Sequence, residues 1–185
     1  YVVKESAYQD ALANLREKPA LVVCDSQVVD LMVRETPPDV PCTTFSILFA
    51  RLKGDMPVLA AGAGRIRSLK PGDRVFIAEA CTHHASDDDI GRVKIPRWLA
   101  KFVGGELRVT VGAGRDYPAD LSEYQLVIHC GSCMLNRRET LRRIENARRS
   151  GVPITNYGMA ISTCHGVIER VLSPFPEALE AFRNG

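Results

Sequence analysis

Short apolar runs alternate with longer amphipathic stretches along almost the whole chain. Residues 20–24 (ALVVC), 74–80 (RVFIAEA), 107–111 (LRVTV), 125–129 (QLVIH) and 152–156 (VPITN) have the length of strands, and 1–4 reads as the tail of another. Helical stretches are predicted at about 8–17, 27–34, 44–53 with a second piece running to 69, 89–102, 134–150 and 159–172. Asp25 and Ser26 suit the start of the second helix, and TPPDVP at 36–41 cannot continue it. Apolar runs of this length separated by helices are typical of strands buried on both faces of a parallel sheet. Lys70-Pro71-Gly72-Asp73 is a turn signal and the predicted boundary. The expected fold is therefore α/β in two units: a small α/β unit at 1–69 and a larger, Rossmann-like parallel-sheet unit at 70–185.

Composition narrows the class. Of the 185 residues 45% are apolar and 25% charged, with a formal charge of +2, so the chain gives no reason to expect nucleic acid or an anionic membrane as partner. No apolar run approaches membrane-spanning length and no secretory leader is visible, so the chain is expected to be cytoplasmic. It opens on Tyr1 and reads as a fragment of something longer. Six cysteines stand at 24, 42, 81, 130, 133 and 164. In a chain with an adequate core, half of them clustered with histidines, metal or redox chemistry outweighs a disulfide framework.

The chemistry gathers at two strand ends. Cys81 follows the run at 74–80, with His83 and His84 close behind, and Cys130 follows 125–129 directly, with His129 before it and Cys133 three residues on. Ligands of open parallel sheets bind beyond the carboxyl ends of the strands. If the two strands are neighbours, three thiolates can converge, with His83 and His129 beside them. Cys133 is expected at the start of the helix 134–150, where unpaired N–H groups favour a thiolate. Cys-x-His, then 45 intervening residues, then His-Cys-x-x-Cys suits a zinc site and an iron–sulfur site about equally. A thiol–disulfide enzyme using Cys130 and Cys133 is a further reading.

The strings AEACTHH, DDIGRVKIPRWL, HCGSCMLNRRE and GVPITNYG resemble the C-terminal cluster-binding domain of the FeFe-hydrogenase maturation factors (HydF family). LVVCDSQVV and PCTTFSILFARLKGD resemble the family's dimerisation domain. The resemblance implies a 4Fe–4S cluster on Cys81, Cys130 and Cys133, with His83 and His129 as candidates for the fourth iron position or its surroundings. It implies a scaffold that carries a di-iron precursor to apo FeFe-hydrogenase, working with the radical-SAM maturation enzymes, rather than a catalyst. A structural zinc adaptor on the same Cys/His set is the alternative. Family members begin with a GTPase domain, but no G-x-x-x-x-G-K-S/T phosphate loop occurs here. The chain thus corresponds to the family's last two domains, and GTP is expected only of the full-length family.

Other features are read more plainly. Arg92, Lys94 and Arg97 form a solvated or salt-bridged face, or else hold an anionic precursor or an acidic partner surface. Asp87, Asp88 and Asp89 suit a helix start. Arg137, Arg138, Arg142, Arg143, Arg148 and Arg149 read as a solvated helix face, with partner docking as the functional alternative. Cys24 and Cys42 suit packing, as does Cys164 beside a surface His165. Gly112-Ala-Gly114 lacks the third glycine of a dinucleotide fingerprint, and Gly62-Ala-Gly64 follows no strand. The helix from Thr44 is apolar on nearly every side (Phe45, Ile47, Leu48, Phe49, Leu52), which predicts homodimerisation through residues 1–69.

Overall fold

The computed structural model describes residues 1–80, 89–114 and 116–185. The smaller unit contains helix α1 (Tyr8–Ala13), strand β1 (Val22–Cys24), helix α2 (Val29–Glu35), strand β2 (Cys42–Thr44) and helix α3 (Phe45–Lys53). β1 and β2 pair in parallel, Val22 opposite Cys42 and Cys24 opposite Thr44. Strand β2 was not expected from the sequence. It is three residues long, follows Pro41 and passes straight into α3, so it offers no alternation to read. Tyr1–Lys4 joins no strand and is exposed. Asp25 caps the 3-10 turn before α2, its carboxylate accepting from the Gln27 N–H, and Thr44 caps α3 through the Ile47 N–H.

The larger unit is built on four parallel strands: β3 (Arg74–Glu79), β4 (Arg108–Ala113), β5 (Leu126–His129) and β6 (Ile154–Asn156). Their order is β4-β3-β5-β6. The helices are α4 (Met56–Gly64), α5 (Ile95–Val103), α6 (Arg137–Arg149), α7 (Tyr157–Cys164), α8 (Ile168–Leu172) and α9 (Pro176–Asn184). β3 and β5 are fully buried beyond Arg74, as their unbroken apolar runs require. The predicted helix at 159–172 is two helices, parted where Gly166 takes φ 73°. Helix α9 was not foreseen, because Pro174 and Pro176 ended the legible pattern.

The order of the strands fixes where a site can form. From β3 the chain passes through α5 to β4 on one side, and from β5 through α6 to β6 on the other. Right-handed crossovers running in opposite directions put their helices on opposite faces. Side chains agree: Phe76 faces Tyr117 and Tyr124 on the side of α6, whereas Glu79 faces Arg92 at the head of α5. The strand order places the switch point of the sheet, where ligands of such folds bind, outside the carboxyl ends of β3 and β5.

Three of the four glycines in the two pairs lie where a side chain would meet a neighbour, and the fourth, Gly114, takes φ 58°. A Cβ on Gly62 would stand 2.0 Å from the Ile154 carbonyl oxygen, and one on Gly64 would stand 2.5 Å from that of Phe182. Helix α4 therefore lies directly on β6 and α9, within the larger unit's core, although it precedes the 70–73 turn. Gly112 leaves room for the Phe76 ring, 2.6 Å from where its Cβ would be. Because the Gly62 clash is with backbone, Gly62→Ala is expected to destabilise the chain by about 2 kcal/mol or more despite alanine's better helix propensity. Urea denaturation checks this, and a neutral or stabilising effect would contradict the close approach of α4 to β6.

Candidate functional site

The end of β5 lies beside the end of β3. Ala78 is in register with His129, and the Cys130 N–H donates to the Ala78 carbonyl at 2.9 Å. Cys130 is half-buried and Cys133 exposed, both as free thiols. Between them the chain turns through Gly131 and Ser132, and the Leu135 N–H closes the turn on the Ser132 carbonyl at 3.1 Å. Ser132 is the one non-glycine residue with positive φ (58°) among the described residues, a conformation that costs a serine about 1–2 kcal/mol. Helix α6 starts later than expected, at Arg137, because Asn136 takes the N-cap and accepts from the Glu139 N–H. The helix dipole therefore acts on the Asn136 turn and not on Cys133.

Three basic side chains tie down this edge. At the carboxyl edge of a parallel sheet the last carbonyls have no ladder partner and must find donors elsewhere. Arg143, only 3% exposed, donates to the Glu79 carbonyl at 3.3 Å and to the Gly114 carbonyl at 3.0 Å. It also pairs with Glu139 and lies over the Tyr117 ring. Lys53, the last residue of α3, donates to the carbonyls of Ser132 (3.1 Å), Cys133 (3.0 Å) and Leu135 (3.0 Å). Arg137 reaches back to the Leu52 and Gly54 carbonyls at 3.1 and 3.4 Å. Each unit thus presents a cation to the carbonyls of the other.

His129 is 3% exposed, and both ring nitrogens are engaged. Arg143 Nη1 stands 3.2 Å from Nε2 and can only donate, so Nε2 is the acceptor and Nδ1 carries the hydrogen. That hydrogen points to the Cys130 carbonyl at 2.8 Å, with Ser132 Oγ at 3.1 Å. Burial, reinforced by the Arg143 charge, pushes the imidazole down to about 4.

Cys81, His83, His84, Asp87 and Asp88 lie outside the described residues. Arg92 is bound to the buried Glu79 carboxylate at 3.0 Å, and Asp89 caps the π-helical turn before α5. Lys94 donates to Gln27 Oε1 at 2.8 Å, and Arg97 is exposed. Of the six arginines read as a solvated face, Arg143 is buried, Arg137 binds α3, and Arg142, Arg148 and Arg149 pair with Glu139 and Glu145. Arg143 was within reach of the sequence, since Thr140, Arg143, Ile144 and Ala147 share one helical face. Lys53 was not, because its partners lie some eighty positions away. Among the described residues no three Cys, His, Asp or Glu side chains gather as a metal-ligand set.

Residues 57–174 match the family model for the hydrogen maturase F tetramerization domain, and residues 1–54 that for the dimerization domain. The chain belongs to the hydrogen maturase F family. It carries both oligomerisation domains of that family, and its role lies in hydrogenase maturation. A tetramerization domain goes beyond the dimer that the apolar helix from Thr44 predicted. Lys53 falls in the dimerization match, and the turn it braces falls in the tetramerization match. No match was found among curated proteins. No helix among the described residues is long and apolar enough to cross a membrane.

The neutral His129 makes a pH prediction. The unfolded imidazole, at about 6.5, binds a proton that the folded one, at about 4, refuses. Its contribution to stability is therefore fully present above pH 6.5 and is lost as the pH falls through 4. In urea denaturation of the metal-free chain, the drop in stability between these pH values should include on the order of 3 kcal/mol from His129. His129→Asn, which keeps a donor near the Cys130 carbonyl, should lose that part of the slope. An unchanged slope would mean that the imidazole is not held neutral.

Proposed function

We propose that the chain is an iron–sulfur scaffold that holds a 4Fe–4S cluster on Cys81, Cys130 and Cys133, and carries a di-iron precursor to apo FeFe-hydrogenase, acting with the radical-SAM maturation enzymes. The observation that carries this reading is the switch point between β3 and β5, where the half-buried Cys130 and exposed Cys133 stand on a turn just beyond the end of β5. Cys81 comes two positions after the last residue of β3 in the sequence, which is the spacing this reading uses. Three thiolates are a suitable donor set for iron–sulfur chemistry, and the cluster would supply an iron with an exchangeable fourth position.

The protein's own residues would do the holding. The Ser132 turn separates the two thiols, and the Lys53 and Arg143 charges favour an anionic group at the edge they brace. His129, with both nitrogens engaged, would act as a support of the turn, leaving His83 as the candidate for the fourth position. Arg92 is committed to Glu79, so within the trio Arg97 is the more available for an acidic partner surface.

Anaerobic reconstitution with iron and sulfide tests the reading. The expected product contains iron and acid-labile sulfide in equal amounts, with the EPR signal of a reduced cluster. Cys130→Ser should lose most of that iron, whereas Cys24→Ser should keep it. A colourless chain holding zinc without sulfide would favour the zinc adaptor. Disulfide reductase activity that survives Cys81→Ser would favour the thiol–disulfide enzyme.

A further inference from the structure

The Cys130–Cys133 turn is held from within by the His129 and Ser132 side chains at the Cys130 carbonyl, and from outside by a second element. Ser132 sits in the left-handed region, and the Leu135 N–H donates to the Ser132 carbonyl. Three carbonyls of the segment, those of Ser132, Cys133 and Leu135, point to one place. That place is filled by the ammonium of Lys53, whose three hydrogens match three acceptors at 3.0–3.1 Å. The Lys53 stem is held in turn, with its ammonium 5.1 Å from the centre of the Phe49 ring and the C-terminus of α3 clamped by Arg137. We propose that Lys53 is a positioning residue: through it the dimerization segment sets the conformation of the Cys130–Cys133 turn and lends a fixed positive charge to whatever the two thiols bind.

This rests on the scaffold reading for the identity of the bound group, but the contact exists in the chain without it. Lys53 reaches carbonyls rather than sulfur, so its effect on a bound group is transmitted through the turn and through its field. A charge-assisted bond to a carbonyl contributes about 1.5–3 kcal/mol where it is well made, enough to decide between two conformations of a four-residue turn. Loss of a nearby positive charge makes a redox group harder to reduce, because the added electron is less stabilised.

Two variants test the proposal in the full chain. Lys53→Met keeps the stem and removes the ammonium, and Lys53→Arg restores a donor and a charge. In the metal-free protein, hydrogen exchange at the Leu135 amide should accelerate about tenfold or more in Lys53→Met, while the Val127 amide, bonded to Pro153 in the sheet, stays unchanged. Lys53→Arg should recover much of the protection. In protein reconstituted to equal iron content, the reduction potential of Lys53→Met should be more negative than wild type and that of Lys53→Arg close to it. Unchanged exchange at Leu135 would overturn the proposal, as would an unchanged potential in fully loaded Lys53→Met. If the wild type takes up no iron, the scaffold reading fails, and the exchange measurement alone still decides the role of Lys53.

Discussion

Everything at the candidate site depends on the parallel pairing of β3 with β5. These two buried strands lie at the centre of the sheet, and their connections leave in opposite directions, which makes their carboxyl ends the switch point of the sheet. The register places Ala78 beside His129, so the chain leaves both strands at one level. A slip of one residue would turn His129 away from Arg143 and exchange the faces of every side chain in β5. The apolar runs at 74–80 and 125–129 forbid that slip, because both faces are packed. Thus the hydrophobic effect, acting on residues with no chemistry of their own, sets the position of the thiol-bearing turn.

The same edge creates a deficit of donors, and basic side chains meet it. Arg143 satisfies the ends of β3 and of the segment after β4, and in doing so fixes the tautomer of His129. Lys53 and Arg137 then lock α3 to the turn in a reciprocal pair of contacts. Single surface ion pairs contribute little, but cations bonded to otherwise unpaired carbonyls also remove a desolvation cost. The charge gathered for structural reasons is of the sign that an anionic cluster would need. The family's two oligomerisation domains are therefore joined at the candidate site, where helix α3 of the dimerization match braces the turn of the tetramerization match.

Much of this was legible in the sequence. The four strands of the larger sheet were readable to within two residues at either end, β3 and β5 from their apolar runs and β4 from its alternation, and the Cys130–Cys133 turn followed from its place after β5. Three-residue β2 and helix α9 were hidden by the prolines beside them. The charged residues were harder, since sequence alone makes six arginines on one helix look alike. Only the spacing of Arg143 from Thr140, Ile144 and Ala147 marks it as inward-facing. Lys53 carries no local mark at all, because its role exists only once two distant segments have met.

The proposed scaffold requires the thiols of Cys81, Cys130 and Cys133 to reach one point. Its most direct test is cross-linking of the metal-free Cys130→Ser variant with a short bifunctional thiol reagent, followed by peptide mapping. The account predicts a link between Cys81 and Cys133 within one chain. Modification of both cysteines without a link between them, under conditions that join Cys130 to Cys133 in Cys81→Ser, would contradict it.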